Sequence, residues 1–201
     1  MPAKFAKRRG QLATKKYVKN LLDKRIEDKS HENTQGLTPG QTPATYVMSQ
    51  IAAGTGESNR IGTEVMLKSV HLRGIAEVNG TATENKIRII IFQDMSPDGS
   101  LTASNILESD TALENLYSIY NTDYAGSYKI IYDKLFIVNS NAAFAKFTKF
   151  YKKWKNGFRM KYIGTGATNY GKGQLKMAYM SDNSINSPFF SFISRVTFED
   201  A

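Results

Sequence analysis

Apolar and polar residues alternate through most of the chain that follows residue 43. Between residues 86 and 95, for example, Ile87, Ile89 and Ile91 share one side of an extended chain. A period of two residues is typical of a β-strand that is buried on at least one face. This alternation, together with the abundance of Tyr and Phe, predicts eight strands, over residues 45–52, 63–78, 86–95, 127–138, 145–155, 157–163, 174–181 and 189–199.

Turn and helix signals separate these strands. Asn156-Gly157 predicts a two-residue hairpin, because this pair favours the positive φ that both positions of such a turn require. Segment 144–158 has aromatic residues at every third or fourth position, which fits a helix, but the aromatic density and the Asn-Gly pair favour a strand. Thr111 and Glu114 have the spacing of a helix capping box. They predict a short helix between the third and fourth strands.

Eight short strands with few helices favour a double-sheet or closed architecture, which is a jelly roll, a sandwich or a barrel. Residues 30–43 contain Gly36, Pro39, Gly40 and Pro43, and these residues predict a polar linker without regular structure. The predicted organisation is therefore an arm over residues 1–29, a linker over 30–43 and one β-domain over 44–201.

Positive charge is concentrated in the arm. Residues 1–29 contain ten Lys or Arg against three Asp or Glu, a net charge of +7, whereas the remaining residues contain 17 against 15. A basic arm on a nearly neutral domain indicates a polyanionic partner, nucleic acid above all. A short amphipathic helix around residues 12–27 and a flexible tail both fit this arm. The side chains predicted to bind phosphate are Lys4, Lys7, Arg8, Arg9, Lys15, Lys16, Lys19, Lys24 and Arg25.

Five of these side chains have a second interpretation. Lys7, Arg8, Arg9, Lys15 and Lys16 also match the basic clusters that nuclear import factors bind. Basic clusters match this pattern often by chance. Binding to the host import machinery and a chance match therefore both remain open.

A second basic stretch lies within the β-domain, at Lys149, Lys152, Lys153, Trp154 and Lys155. Aromatic rings that stack on bases, next to lysines that contact phosphates, would make a nucleic-acid surface. In the alternative interpretation the aromatic side chains fill the core and the lysines face solvent. We favour the second interpretation, and keep this stretch as the best candidate for a nucleic-acid surface on the domain.

Composition argues against most catalytic centres. The chain has no Cys and only two His, His31 and His71, which disfavours thiolate zinc sites and histidine clusters. The segment 166–173 nearly matches a phosphate-binding loop, but Gly173 replaces the Ser or Thr that the motif needs and no helix is predicted to follow. We expect no enzymatic activity and no cofactor.

Metal binding and membrane insertion are also disfavoured. Asp94, Asp98 and Asp133 would bind a hard cation only if the fold brought their oxygen atoms together, and we expect solvated carboxylates and no metal site instead. The longest apolar stretch among the strands is Ile89-Ile90-Ile91-Phe92 after Arg88, which is far too short to span a bilayer. We expect a soluble protein with no membrane partner.

Several segments, taken in order, resemble one family of viral proteins. They are the string from Gly54 to Gly74, the string from Arg88 to Asp94, Ile106-Leu107, Tyr132-Asp133-Lys134, and the closing string from Arg195 to Asp200. Over residues 44–200 this set is similar to the capsid proteins of circovirus-like, Rep-encoding single-stranded DNA viruses. Their shells resemble those of satellite viruses such as satellite tobacco necrosis virus. In this family the basic arm is often richer in arginine than it is here.

This resemblance implies both a fold and a function. The fold would be an eight-stranded jelly roll, and the function would be self-assembly into a T=1 icosahedral shell of about 60 copies. The basic arm would package single-stranded nucleic acid, with DNA as the expected cargo. The protein would lie in the virion and, during assembly, in the host cytoplasm and nucleus.

Two other functions remain open from the sequence. A non-viral single-stranded nucleic-acid-binding barrel would also carry a basic tail, although such a barrel needs about five strands. A ligand-binding jelly roll of the lectin or cupin type would share the fold, although a cupin metal centre needs several histidines on adjacent strands.

Overall fold

The computed structural model describes residues 28–109 and 114–200. They form eight strands in two antiparallel sheets of four. In chain order the strands are β1 (Lys29–Leu37), β2 (Ala44–Val47), β3 (Glu64–Glu77), β4 (Glu84–Asp94), β5 (Tyr128–Asn139), β6 (Ala145–Lys161), β7 (Gln174–Ser181) and β8 (Phe189–Asp200). Two short helical turns, α1 (Ala103–Ile106) and a 3-10 turn at Glu114–Leu116, lie between β4 and β5.

Strand order identifies the fold. Sheet A has the order β1-β8-β3-β6, and sheet B has the order β2-β7-β4-β5. Every connection between consecutive strands crosses to the other sheet, except that between β4 and β5, which are neighbours in sheet B. All pairings are antiparallel. This is the jelly roll that the sequence predicts, and the predicted all-β class and strand number are confirmed.

The core fills the space between the two sheets. Alternate residues of β3, among them Val65, Leu67 and Val70, point inward and are fully buried against Ile89 of β4 and Phe190 of β8. Burial of such side chains stabilises the fold by about 1.5–3 kcal/mol each. The two-residue period of the sequence therefore records which side of each strand faces the opposite sheet.

The outer side of sheet B is covered by the chain itself. Residues 95–109 and 114–127, here called the covering segment, pack over it. Leu101, Ile106 and Leu116 of this segment form a second apolar cluster with Ile90 of β4 and Met180 of β7. Because β4 is thus buried on both faces, its central run Ile89-Ile90-Ile91-Phe92 is apolar without alternation.

A buried ion pair holds the start of the covering segment. Lys176 Nζ of β7 lies 2.8 Å from a carboxylate oxygen of Asp94 on β4, and both side chains are almost fully buried. The same ammonium group donates to the carbonyls of Gly99 and Leu101 at 2.6 and 2.7 Å. The Asp94 carboxylate accepts from the backbone N–H groups of Ser96 and Leu101 at 2.9 and 3.0 Å. Every charge in this pair is therefore matched, as a buried ion pair requires.

A second ion pair holds the end of the covering segment. The Arg88 guanidinium binds both oxygens of Asp133 at 3.0 and 2.7 Å and donates to the carbonyls of Asn115 and Ser118. Tyr120 donates its hydroxyl to Asp133 at 2.6 Å. Burial opposes ionisation of the Asp133 carboxyl, but these hydrogen bonds outweigh it, and the pKa of Asp133 lies below its ordinary value.

The predicted linker over 30–43 is wrong for its first part. Residues Lys29–Leu37 form β1, which pairs with β8 along its whole length. Its side chains are mostly polar because β1 lies at the edge of sheet A, where one face and one edge contact solvent. The prediction failed because the partner strand lies about 160 residues away, so that no local apolar pattern reports the pairing.

The predicted hairpin at Asn156-Gly157 is also wrong. Residues 145–161 form one continuous strand, β6, in which residues 154–157 bulge opposite Lys68 of β3. Gly157 has φ +64°, and Gly is the only residue type with positive φ in the described chain. A two-residue turn needs positive φ at both positions, whereas a bulge needs it at one.

Other segments agree more closely with the sequence. Segment 144–158, whose spacing fits a helix, lies in a strand as predicted. The helix predicted from Thr111 begins outside the described residues, since 110–113 are not described, and a 3-10 turn occupies Glu114–Leu116. Within the described chain, no helix has the length and apolar character needed to cross a membrane.

Candidate nucleic-acid interface

The predicted phosphate-binding side chains of the arm lie outside the described residues. This applies to all nine, Lys4, Lys7, Arg8, Arg9, Lys15, Lys16, Lys19, Lys24 and Arg25, and therefore also to the five that match a nuclear-import pattern. The predicted roles of these residues stay predictions. The structure does describe where the arm joins the domain, because Lys29 begins β1 at the edge of sheet A.

The outer side of sheet A is here called the open face, and within residues 28–109 and 114–200 no segment covers it in the way that sheet B is covered. Three rows of side chains cross it from β6 through β3 and β8 to β1. In register these rows are Phe147, Ile75, Ser191 and Gly36, then Lys149, Arg73, Ile193 and Thr34, and then Tyr151, His71, Arg195 and Glu32. The face therefore combines aromatic, aliphatic and cationic side chains.

Two aromatic rings on this face are available to a ligand. Phe147 is 80% exposed and Tyr151 is 58% exposed, and four residues of one strand separate them by about 13 Å. Lys149 lies between them on the same side of β6. Base stacking on rings of this kind is worth about 1–3 kcal/mol per base, so this geometry suits an unpaired nucleic-acid strand.

Trp154, the ring that the sequence singled out, has a different role. It lies in the β6 bulge, packs against the core while remaining half-buried, and meets Phe158 edge-on with ring centroids 4.6 Å apart. Its contacts are those of a core residue, as the favoured interpretation predicts. Lys149, Lys152, Lys153 and Lys155 are all exposed, so that the lysines of the stretch remain accessible while its tryptophan does not.

The cations of the open face are only partly neutralised. Arg195 is paired with Glu32 of β1. By contrast, no carboxylate of the described chain lies within ion-pair distance of Arg73, Lys149 or Lys153. Unpaired cations on a sheet face give the sequence-independent, salt-sensitive attraction on which phosphate binding depends.

His71 records this local excess of positive charge. Its ring lies edge-on to Tyr151, with centroids 6.0 Å apart, and its buried Nε2 has no hydrogen-bond partner in the described chain. Burial lowers the pKa of His71, and Arg73, Lys149 and Arg195 lower it further. The positive charges of Arg73, Lys149 and Arg195 disfavour protonation of His71. The centre of the face is therefore a surface that attracts anions.

The near-match to a phosphate-binding loop has a structural role. The carbonyls of Gly164 and Gly166 accept hydrogen bonds from the buried guanidinium of Arg60 at 2.6 and 3.3 Å. The same guanidinium stacks 3.9 Å above the Tyr162 ring and binds the carbonyl of Ile51. A strand, β7, follows this loop, as predicted. Arg60 thus joins the loop before β3 to the loop after β6, and no phosphate-binding geometry results.

The three aspartates considered for a cation are engaged elsewhere. Asp94 pairs with Lys176 and Asp133 pairs with Arg88, while Asp98 accepts from the backbone N–H of Ser100. Across residues 28–109 and 114–200, no three His, Asp or Glu side chains converge in a way that would hold a metal ion.

Four contributors to the open face escaped the sequence analysis, namely Phe147, Tyr151, Arg73 and Arg195. Phe147 and Tyr151 alternate with Thr148 and Phe150, which point inward, so the two-residue period of β6 separates exposed from buried aromatics. Arg73 and Arg195 join them only through the register of β3 and β8. The two-residue period of β6 was present in the sequence, whereas the placement of Arg73 and Arg195 beside these rings is visible only in the fold.

No family model and no curated protein matches this chain. Solved structures that match include a chain of Desmodium yellow mottle tymovirus, at 10% identity and a TM-score of 0.40, with 87% of this chain and 88% of that chain covered. A chain of the naturally occurring empty particles of cowpea mosaic virus matches at 11% identity and a TM-score of 0.39, with 83% and 85% covered. The capsid protein of the BFDV 60-mer matches at 5% identity and a TM-score of 0.35, with 88% and 93% covered. Values this low establish no function, and the resemblance to circovirus-like capsid proteins stays a prediction.

Proposed function

We propose that this protein is a capsid subunit that self-assembles into a closed shell and packages single-stranded nucleic acid. The observation that carries the proposal is the separation of charge, with a net charge of +7 on residues 1–29 and a nearly neutral jelly-roll domain after them. If many copies enclose one polymer, their arms act on it together, and individually weak contacts add through multivalency.

The open face extends the packaging surface from the arm onto the domain. Lys29, which follows the arm in the chain, begins β1 at the edge of sheet A, the sheet that carries the open face. Arm residues would neutralise phosphates over a long stretch of cargo. Phe147 and Tyr151 would stack on exposed bases, while Lys149 and Arg73 contact the phosphates between them.

The cargo and the route of assembly follow from the resemblance of the sequence. DNA is the expected cargo, the expected shell has T=1 symmetry with about 60 copies, and the arm would also engage host nuclear import. Residues Lys7, Arg8, Arg9, Lys15 and Lys16 would make this last contact before assembly encloses them.

Nuclease protection tests the packaging proposal. Full-length particles are compared with a variant that lacks residues 2–27, which leaves β1 intact from Lys29 onward. We expect the variant to form shells that protect much less nucleic acid from nuclease. Selective digestion of the released cargo with DNase or RNase then identifies it. Unchanged protection in the truncated variant would overturn the assignment of packaging to the arm.

A matched pair of point variants tests the open face. Lys149→Gln removes an exposed, unpaired cation of sheet A, and Lys129→Gln removes an exposed lysine of β5 in sheet B. Loss of one phosphate contact should reduce the salt dependence of single-strand binding, the slope of log K against log salt, by about 0.7. We expect this reduction for Lys149→Gln alone, and equal effects of both variants would contradict the role of the face.

The open face also favours a second function, a single-stranded nucleic-acid-binding module that does not assemble. Such a module would use the same rings and cations, but it would stay a monomer or small oligomer at every salt concentration and pH. Particle size therefore distinguishes the two functions independently of nucleic-acid affinity.

A further inference from the structure

His71 lies at the centre of the open face and is one of two histidines in the chain, the residue type that titrates near neutral pH. Its partners in register are Tyr151 of β6 and Arg195 of β8. Residues directly opposite on neighbouring strands have Cβ atoms about 4.5–5.5 Å apart, and the next residue on the same face of a strand lies about 7 Å away. Arg73 is that next residue, and Lys149 lies opposite it. His71 therefore has three cationic side chains as neighbours on the face.

Positive charge is in excess around His71. The row that follows its own consists of Lys153, Ser69, Thr197 and Ser30. Together with this row and the row of Lys149, the row of His71 in the described sheet carries one carboxylate, that of Glu32, and four cations, namely Arg73, Lys149, Lys153 and Arg195. Glu32 is already paired with Arg195. Like charges on neighbouring strands repel each other and destabilise a sheet, and an anion that binds here would remove this repulsion.

The domain offers the His71 ring nothing that would stabilise a positive charge. Its buried Nε2 has no hydrogen-bond partner in the described chain, and its other near neighbour, the Tyr151 ring, meets it edge-on. Burial lowers the pKa of His71 most, and Arg73, Lys149 and Arg195 lower it further. The neutral ring is therefore favoured as long as no anion lies on the face.

We infer that the open face takes up a proton at His71 when it binds phosphate groups, so that single-strand binding strengthens as the pH falls. A phosphodiester held between Arg73 and Arg195 places a negative charge close to the ring and offsets the repulsion that keeps it neutral. Linkage is reciprocal, so protonation of His71 strengthens phosphate binding by the same factor. The inference rests on the proposed function, because it names a pH control of the proposed packaging surface.

The direction and size of the effect follow from linkage. The free protein has a lowered His71 pKa, and a bound anion raises it, so affinity rises as the pH falls through the interval between the two values and is constant below it. Each unit of increase in this pKa makes binding tenfold tighter. A phosphate charge about 6 Å from the ring, at an effective dielectric constant of about 40–80, gives about a threefold to tenfold gain.

Oligo-dT binding to the full-length protein tests this coupling. Affinity is measured by fluorescence anisotropy from pH 7.5 to 5.5, at subunit concentrations below those at which particles appear. Thymine keeps its charge in this range, and residues 1–27 contain no histidine, so neither the cargo nor the arm side chains titrate. His71→Gln removes the titrating group. His31→Gln is the matched control, because His31 also has a buried, unpartnered Nε2 but lies on the opposite side of sheet A, out of register with the open face.

We expect the wild type and His31→Gln to bind oligo-dT about threefold to tenfold more tightly at pH 5.5 than at pH 7.5, and His71→Gln to bind almost equally at both. Calorimetric titration in two buffers of different ionisation enthalpy measures the protons taken up on binding. The wild type should take up a fraction of a proton that His71→Gln does not. This measurement on the unaltered protein tests the coupling even if His71→Gln fails to fold.

Three results would overturn the inference. The wild type could bind with equal affinity at every pH and take up no proton, His71→Gln could keep the full gain, or His31→Gln could abolish it. If the wild type binds oligo-dT at pH 7.5 without a gain on acidification, this inference alone fails. If it binds at no pH, the proposed packaging function fails as well, so the two failures are distinguishable.

Discussion

The buried pair between Lys176 and Asp94 makes a quantitative prediction about stability. Lys176→Met keeps most of the length and apolar volume of the side chain but removes the ammonium group. The Asp94 carboxylate then remains buried without a counter-charge. Its remaining hydrogen-bond donors are the backbone N–H groups of Ser96 and Leu101 and the Ser96 hydroxyl. The carbonyls of Gly99 and Leu101 lose a donor at the same time.

Removal of one partner from a buried ion pair costs about 3–5 kcal/mol. A domain of this size unfolds with a free energy of about 5–15 kcal/mol, so that this one substitution should remove a large share of it. At about 2–4 °C per kcal/mol for a chain of this length, the midpoint of thermal unfolding should fall by about 6–20 °C.

Calorimetry or denaturant unfolding measures this change. Lys172→Met, at an exposed lysine of the preceding loop, is the control and should leave stability nearly unchanged. Adding Asp94→Asn to Lys176→Met neutralises the orphaned carboxylate, so the double variant should be more stable than the single one. A loss of less than about 1 kcal/mol in Lys176→Met would refute the reasoning that this pair anchors the covering segment.

Three further predictions concern the bulge, the histidines and the open face. Gly157→Ala should destabilise by about 2 kcal/mol or more, because φ is +64° and a Cβ would lie 2.6 Å from Met66 Cγ; unchanged denaturant unfolding would contradict this. The pKa values of His31 and His71 are lowered from 6.5, mainly by burial, so stability is fully present above pH 6.5 and declines as the pH falls through the lowered values. Replacing both with Gln should flatten the unfolding midpoint between pH 7.5 and 5, and a wild-type midpoint that rises on acidification would exclude the mechanism. Phe147→Ala should weaken oligonucleotide binding by about 1–3 kcal/mol in fluorescence anisotropy, and an equal affinity would show that no base stacks there.

The sequence predicts the fold well where the hydrophobic pattern is local. β4 and β7 were found within two residues, because Ile87, Ile89 and Ile91 must face the core whichever strands surround them. β1 was missed because an edge strand buries little, and its pairing with β8 depends on a distant segment. The bulge in β6 was mistaken for a hairpin because an Asn-Gly pair occurs in both. The two structures are distinguished only by the pairing of β6 with β3, in which residues 154–157 lie opposite the single residue Lys68.

The candidate site was predicted less completely than the fold. Lys149 could be placed on an exposed strand face from sequence, but its neighbours Arg73 and Arg195 come from strands that are sequentially remote. The sequence favoured a core position for Trp154 and kept it only as a candidate for base stacking, and in the structure the ring packs against the core and Phe158. The excess of positive charge in residues 1–29 is visible in the sequence alone, whereas a surface that several strands build together depends on their register.

Electron microscopy of the purified full-length protein tests the central claim most directly. The protein is separated by size exclusion, and its largest fraction is imaged in negative stain over a range of salt concentrations and pH values. Self-assembly of the jelly roll predicts closed particles of uniform diameter. A monodisperse monomer under every condition would contradict the claim that this protein builds a shell.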